Sequence, residues 1–143
     1  MIDLVLINKT RFRISLLWLE NQTRLLLKKI RLGPPVSLSL VIISDAEMRQ
    51  LNWSYRRQKK VTDVLSFDLR RPNMPGISGE IFLCFSEAAV IARERRVCLR
   101  RALLWLIIHG ILHLAGFEHD QVPLEQAKRM FLLQDKLARD FHV

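Results

Sequence analysis

Apolar and polar positions recur along this chain with two periods, and the switches between them mark its elements. Asp3-Leu4-Val5-Leu6-Ile7 reads as a short strand ending at Asn8. From about Arg13 to Arg31, Ile14, Leu17, Trp18 and Leu25 recur at helical spacing, and Gly33-Pro34-Pro35 stops the run. Val36, Leu38, Leu40 and Ile42 then alternate with Ser37, Ser39 and Val41, the period of a half-buried strand. Ser44-Asp45-Ala46-Glu47 is a capping-box pattern, a hydroxyl followed three residues later by a carboxylate, and it opens a helix to about Tyr55. Val61 to Leu69 predicts a strand through Val64, Leu65 and Phe67, and Arg70 to Gly79, with two Pro and two Gly, predicts a loop. The apolar run Ile81 to Phe85 has strand length, and Ser86 caps a helix to about Val97. Arg100 to Ala115 is apolar on every side, as a buried central helix must be. The last helix has Pro123 and Glu125 in its first turn and Ala127, Met130, Leu133, Leu137 and Phe141 on one face. The order βαβαββααα predicts an α+β fold, a small mixed sheet of about four strands packed against helices, in a single domain over residues 1–143.

Composition narrows the class. The chain has 143 residues, of which 50% are hydrophobic and 26% charged, a balance that excludes disorder over most of its length. A chain of this size buries roughly two thirds of its unfolded surface, so it needs neither disulfide nor metal merely to fold. The longest apolar stretch, Ala102 to Phe117, is broken by two histidines and falls short of the ~20 residues of a membrane span. Asp3 inside the first apolar run argues against a secretory leader. Cys84 and Cys98 form no CxxC pair. The expectation is a cytoplasmic protein with no membrane partner. Against that background, 23 Lys+Arg and 14 Asp+Glu give a formal charge of +9. The excess concentrates in Arg56-Arg57-Gln58-Lys59-Lys60, in Arg70-Arg71, and in Arg93, Arg95, Arg96, Arg100 and Arg101. One such cluster is as readily a solvated face as a binding site. Three in one small chain point to a polyanionic partner, nucleic acid above all. Charge does not choose between binding and cutting.

The histidines carry the chemistry. His109 and His113 are four apart on the predicted central helix, on one face and about 6 Å apart at Cβ, so both rings can reach one metal ion. Were the helix to continue, His119 would lie ~15 Å along the axis from His109. Gly116, three residues after His113, is placed to end the helix in a left-handed turn and bring His119 back. Three histidines with one open position are the arrangement of a catalytic zinc, one per chain, rather than a structural one. The bland alternative, hydrogen-bonded core histidines, requires two imidazoles buried on an apolar helix to find other partners. The spacing HxxxHxxGxxH also matches the metzincin proteases, which carry a glutamate base after the first histidine; here that position is Gly110, and the protease reading loses its main support. A zinc-bound water titrates near pH 7 and needs no such base.

At these residues the chain resembles the YbeY family of bacterial endoribonucleases, the ribosomal RNA maturation factors. The family string HGxLHLxGxDH stands here as His109-Gly110-Ile111-Leu112-His113-Leu114-Ala115-Gly116-Phe117-Glu118-His119. A second signature, Asn-x-x-Tyr-Arg and then Lys-Pro-Thr-Asp-Val-Leu-Ser-Phe, stands as Asn52-Trp53-Ser54-Tyr55-Arg56 and Lys60-Val61-Thr62-Asp63-Val64-Leu65-Ser66-Phe67. The chain departs at Val61 and Asp68, where the family has proline, at Glu118 for aspartate, and at Gly79-Glu80 for Gly-Asp. None of these removes a presumed ligand. The resemblance implies a zinc-dependent, single-strand-selective endoribonuclease acting in maturation of small-subunit (16S) ribosomal RNA and in ribosome quality control. Its implied partners are RNA and the small ribosomal subunit, with no DNA expected.

Roles follow at three levels. His109, His113 and His119 would hold the metal through neutral nitrogens. Arg56 matches the family's functionally important arginine and would neutralise charge on the scissile phosphate; an ordinary surface arginine is the alternative. Arg57, Lys59 and Lys60 would position the RNA backbone, and Asp63, Glu118 and Asp120 are candidates to hydrogen-bond and orient an imidazole, although Asp63 and Glu118 could instead cap loops. Trp53, Tyr55 and Trp105, at helical apolar positions, read as core rather than as base-stacking platforms. Two further functions compete with the nuclease: a ribosome-associated RNA-binding assembly factor with a structural zinc, and a zinc hydrolase acting on another substrate. The ligand count discriminates, since Cys84 or Cys98 joining the histidines would close the site.

Overall fold

The structure is a computed structural model and describes residues 2–31 and 33–143. Its elements follow the predicted order: β1 (Ile2–Asn8), α1 (Leu16–Ile30), β2 (Val36–Ile43), α2 (Asp45–Arg56), β3 (Val64–Asp68), β4 (Ile77–Cys84), α3 (Phe85–Arg95), α4 (Leu99–Leu114) and α5 (Leu124–Asp140). The strands form one sheet in the order β1-β2-β4-β3, with β1, β2 and β4 parallel and β3 antiparallel to β4. Leu6, Leu40 and Ile81 stand side by side across the three parallel strands. Together with Leu38, Ile42 and Leu83 they form the apolar face on which α4 rests. Helix α4 is buried between that face and α1, α3 and α5, which accounts for its apolar circumference. Truncating one of its fully buried residues, such as Ile107 or Leu112, to alanine would cost about 2–5 kcal/mol.

Helix α2 covers the opposite face. Val41, Ile43, Met48, Leu65 and Cys84 form a second, smaller core there. This changes the reading of β2: its C-terminal half is buried on both faces, so Val41 and Ile43 are as enclosed as Leu40 and Ile42. The capping box is half realised. The Ser44 side chain accepts from the Glu47 backbone N–H at 3.3 Å, while the Glu47 carboxylate pairs with Lys9 on the neighbouring strand end.

Other expectations need correction. In α1 the buried positions are Leu19, Thr23, Leu26 and Leu27, while Leu17 and Leu25 are exposed; the helix has apolar residues all round, and docking against β1 and α4 selects the face. The loop predicted to Gly79 ends at Gly76, and β4 starts at Ile77. A Cβ on Gly79 would meet the Phe67 carbonyl oxygen at 2.7 Å and the Leu114 side chain at 2.9 Å, so this glycine marks close packing and not a turn. Phe85 begins α3 rather than ending a strand, and Ser86, inside the helix, bonds the Asp45 carboxylate instead of capping. Trp53 and Tyr55 are exposed, whereas Trp105, partly buried, packs against the main core as expected. Tyr55 leans on Phe67 at 4.8 Å between ring centroids, but neither it nor Trp53 enters a core.

Candidate metal centre

Helix α4 ends in a Schellman motif that shapes the site. Gly116 adopts φ +97°, its N–H donates to the His113 carbonyl at 3.0 Å, and the Phe117 N–H donates to the Leu112 carbonyl at 3.0 Å. A Cβ on Gly116 would meet nothing within 4 Å, so glycine serves here for its backbone conformation alone. The turn reverses the chain and brings His119 back over the last turn of the helix. Ring centroids lie 4.6 Å apart for His109 and His113, 5.1 Å for His109 and His119, and 5.0 Å for His113 and His119. One nitrogen from each of the three rings lies within 4.8 Å of the others. The spacing argument therefore holds in three dimensions.

One outward nitrogen is also held. His109 Nδ1 donates to the Gln134 side-chain oxygen on α5 at 2.8 Å. His113 Nδ1 lies 3.3 Å from a Glu118 carboxylate oxygen in the reversing turn. The bond to Gln134 favours the His109 tautomer with hydrogen on Nδ1 and a lone pair on Nε2, and the Nε2 atoms of His109 and His113 face each other at 3.0 Å. Two zinc-bound nitrogens would stand about 3.3 Å apart, from a Zn–N bond of about 2.05 Å in a tetrahedron. Burial pushes the pKa of both His109 and His113 below the ordinary histidine value, with the neighbouring imidazoles adding to the effect. The rings are thereby kept neutral, the form that binds a metal. The donor set, the His109 tautomer and the charge state all fit a divalent transition metal ion, which His109, His113 and His119 could hold.

Gln134 is the residue that reading the sequence missed. It is 2% exposed, and with Met130 and Leu137 it belongs to the buried stripe of α5. Of the acidic residues expected to orient an imidazole, Glu118 lies nearest, 3.3 Å from His113 Nδ1 but without a hydrogen bond to it, and Asp63 and Asp120 line the surrounding cleft.

The cleft holds about 630 Å³ and opens over the histidines. Arg56 and Lys60 reach it from the end of α2 and the loop beyond, Ser66 and Asp68 from the edge strand β3, and Glu118 and Asp120 from the reversing turn. Arg57 and Lys59 lie instead over the Trp53 ring, at 5.7 and 5.2 Å from its centroid. The other basic runs are partly committed elsewhere. Arg70 is paired with Asp68 and donates to the Gly76 and Leu114 carbonyls, and Arg95 and Arg101 donate to carbonyls of residues 141–143. Arg100 lies over Trp18. At residues 56–60 none of the four cations has an acidic partner among the described residues, and two of them face the cleft.

Gly110 has a steric reason. A Cβ there would meet Ile81 at 2.9 Å and the Ser66 hydroxyl at 3.0 Å, because α4 crosses the sheet at this point. A glutamate base of the protease kind has no room. Neither cysteine joins the histidines. Cys84 is buried beside Asp45 and Ser86, and Cys98 caps the start of α4, roughly 16 Å along the axis from His109.

The family model described as Endoribonuclease YbeY matches residues 8–142. A protein of Spiroplasma citri named Endoribonuclease YbeY is 33% identical over 153 aligned positions, covering 99% of this chain and 94% of its own. One of the same name from Sulfurihydrogenibium sp. (strain YO3AOP1) is 34% identical, covering 93% and 89%. The solution structure of a Thermotoga maritima protein superposes with a TM-score of 0.62 at 27% identity, over 97% of this chain and 91% of that one.

Proposed function

The chain belongs to the Endoribonuclease YbeY family, and on that premise we propose that it is a zinc-dependent, single-strand-specific endoribonuclease that matures small-subunit (16S) ribosomal RNA and serves ribosome quality control in the cytoplasm. Family membership supports the RNA hydrolase activity itself. The observation that carries the metal-dependent part is the convergence of three imidazoles, with no fourth side-chain ligand among the described residues, in a cleft that Arg56 also lines. A site left open in this way favours an enzyme over an assembly factor with a structural zinc. Zinc, one per chain, supplies Lewis acidity and a water that ionises near neutral pH.

The chain's own residues do the rest. Gln134 holds the His109 ring so that Nε2 is presented, and the Glu118 carboxylate lies beside His113. Arg56 offers a planar fork to two oxygens of the scissile phosphate and stabilises the charge that grows as the bond breaks. Lys60, Arg57 and Lys59 hold the flanking phosphates, and the small ribosomal subunit is the setting in which this RNA is met. Cleavage of a short single-stranded RNA by protein of measured zinc content tests the reading. We expect about one zinc per chain and cleavage that is lost, together with the zinc, in His113→Ala. A metal-replete protein that leaves single-stranded RNA intact, or a His113→Ala variant that keeps full zinc and activity, would refute it.

A further inference from the structure

The C-terminal end of α2 presents a feature that the metal centre does not use. Trp53 lies one helical turn before Arg56 and Arg57, so its ring shares their side of the helix. It is 42% exposed, belongs to neither core, and is bracketed by the Arg57 and Lys59 side chains. Arg56 and Lys60, the outer members of the same run, line the cleft over the histidines. A large aromatic plane thus carries Arg57 and Lys59, between Arg56 and Lys60 of the cleft in the chain, and none of these four cations has an acidic partner among the described residues. It joins neither hydrophobic core, so the exposed part of its ring adds no apolar packing to the fold.

Resting on the endoribonuclease reading, we propose that Trp53 is a stacking platform for an unpaired RNA base next to the cleft, with Arg57 and Lys59 holding the phosphates on either side of that base. An aromatic plane with two cations over it supplies both halves of a single strand's repeating unit, a face for a base and charges for its phosphates, once the two flexible side chains swing from the ring onto the phosphates. In a duplex the base faces are already stacked, so such a platform would discriminate against paired RNA. The positive charge argues against an apolar or basic protein segment as the occupant.

The test compares two short single-stranded RNAs of equal length, one with bases and one abasic, in binding titrations with RNA integrity checked in the same samples. Trp53→Ala is expected to weaken binding of the base-bearing RNA about 5- to 150-fold, the range for loss of one base–aromatic stack, and to leave the abasic RNA nearly unchanged. Trp53→Phe should keep most of the affinity, and Lys59→Ala should weaken both RNAs alike. Should Trp53→Ala lose helix content by circular dichroism, Trp53→Leu, apolar but not planar, replaces it with the same expectation. Equal losses on the two RNAs, or undiminished binding of the base-bearing RNA, would overturn the proposal; the latter would make Trp53 a protein-docking residue. A parent protein that binds neither RNA would instead remove the endoribonuclease reading beneath it.

Discussion

Gln134→Leu isolates what holds the metal ligands in place. Leucine fills nearly the same volume, so the packing of α5 against α4 is conserved while the acceptor 2.8 Å from His109 Nδ1 disappears. The ring then has a buried N–H without a partner, a penalty of about 1–3 kcal/mol. Part of it is offset by the added apolar contact, and the ring can rotate to escape the rest. Either response acts on Nε2, whose direction and basicity depend on the lost bond. Removing such a partner commonly weakens metal affinity 10- to 100-fold, or about 1.4–2.7 kcal/mol, which agrees with the hydrogen-bond estimate. Zinc affinity measured by competition with a chromophoric chelator should therefore fall by one to two orders of magnitude. The melting temperature of the metal-free protein should move by only a few degrees. Gln134→Glu sets a carboxylate against Nδ1 and should restore affinity to the parent level or above at neutral pH. Parent-like zinc affinity in Gln134→Leu would refute the idea that this amide orients His109.

Two other outcomes follow from the same site. Removing Arg56 should slow single-turnover cleavage of a saturating short RNA about 100- to 1,000-fold with zinc content unchanged, and Arg56→Lys should recover only part, because an ammonium lacks the planar fork; an unchanged rate with weaker binding would make it a positioning contact. His109 and His113 titrate below the ordinary value of 6.5 because they are desolvated, so the unfolded chain binds more protons as pH falls through that value. The metal-free protein should keep this contribution to stability above about pH 7 and lose it on acidification, by at most about 1.4 kcal/mol per pH unit for each ring, until the native rings themselves protonate. Urea unfolding at successive pH values reads the slope, and a flat profile between about pH 7 and pH 5 would show that the rings are not desolvated.

The order of elements was legible because each is encoded over a few residues: a period of two in Val36–Ile42, a full apolar circumference in Arg100–Ala115, a hydroxyl and carboxylate at Ser44 and Glu47. The histidine cluster was legible for the same reason, since helix geometry relates His109 to His113 and one glycine reverses the chain before His119. Choices made by packing were not. Leu17 and Leu19 of α1 are equally apolar, and only the docking of α1 on β1 and α4 decides which is buried. Trp53 and Tyr55 stand at helical apolar spacing yet face outward, because spacing gives a shared face and not which face docks. Their neighbours Arg56, Arg57 and Lys59 were the contrary sign. The arginines of 93–101 looked like one basic patch, yet two of them satisfy carbonyls at the C-terminal end, a contact across some forty residues that no local pattern announces.

Gln134 lies between these cases. It is twenty-five residues from His109, so no spacing rule connects them. It does, however, interrupt the apolar stripe of α5 in phase, four residues after Met130 and three before Leu137. A polar side chain buried in that phase must find a partner, or the helix bears the cost of its desolvation. Helix α4, against which that stripe packs, offers few groups able to answer it, because apart from His109, His113 and the indole N–H of Trp105 its side chains carry no polar atoms between Ala102 and Leu114. A lone polar residue on the buried face of one helix, and histidines on an apolar helix beside it, each account for the other. The metal ligands are local in sequence because they must share one ion; the group that orients them comes from another helix because a ring on α4 can be steadied from outside only by what packs against it.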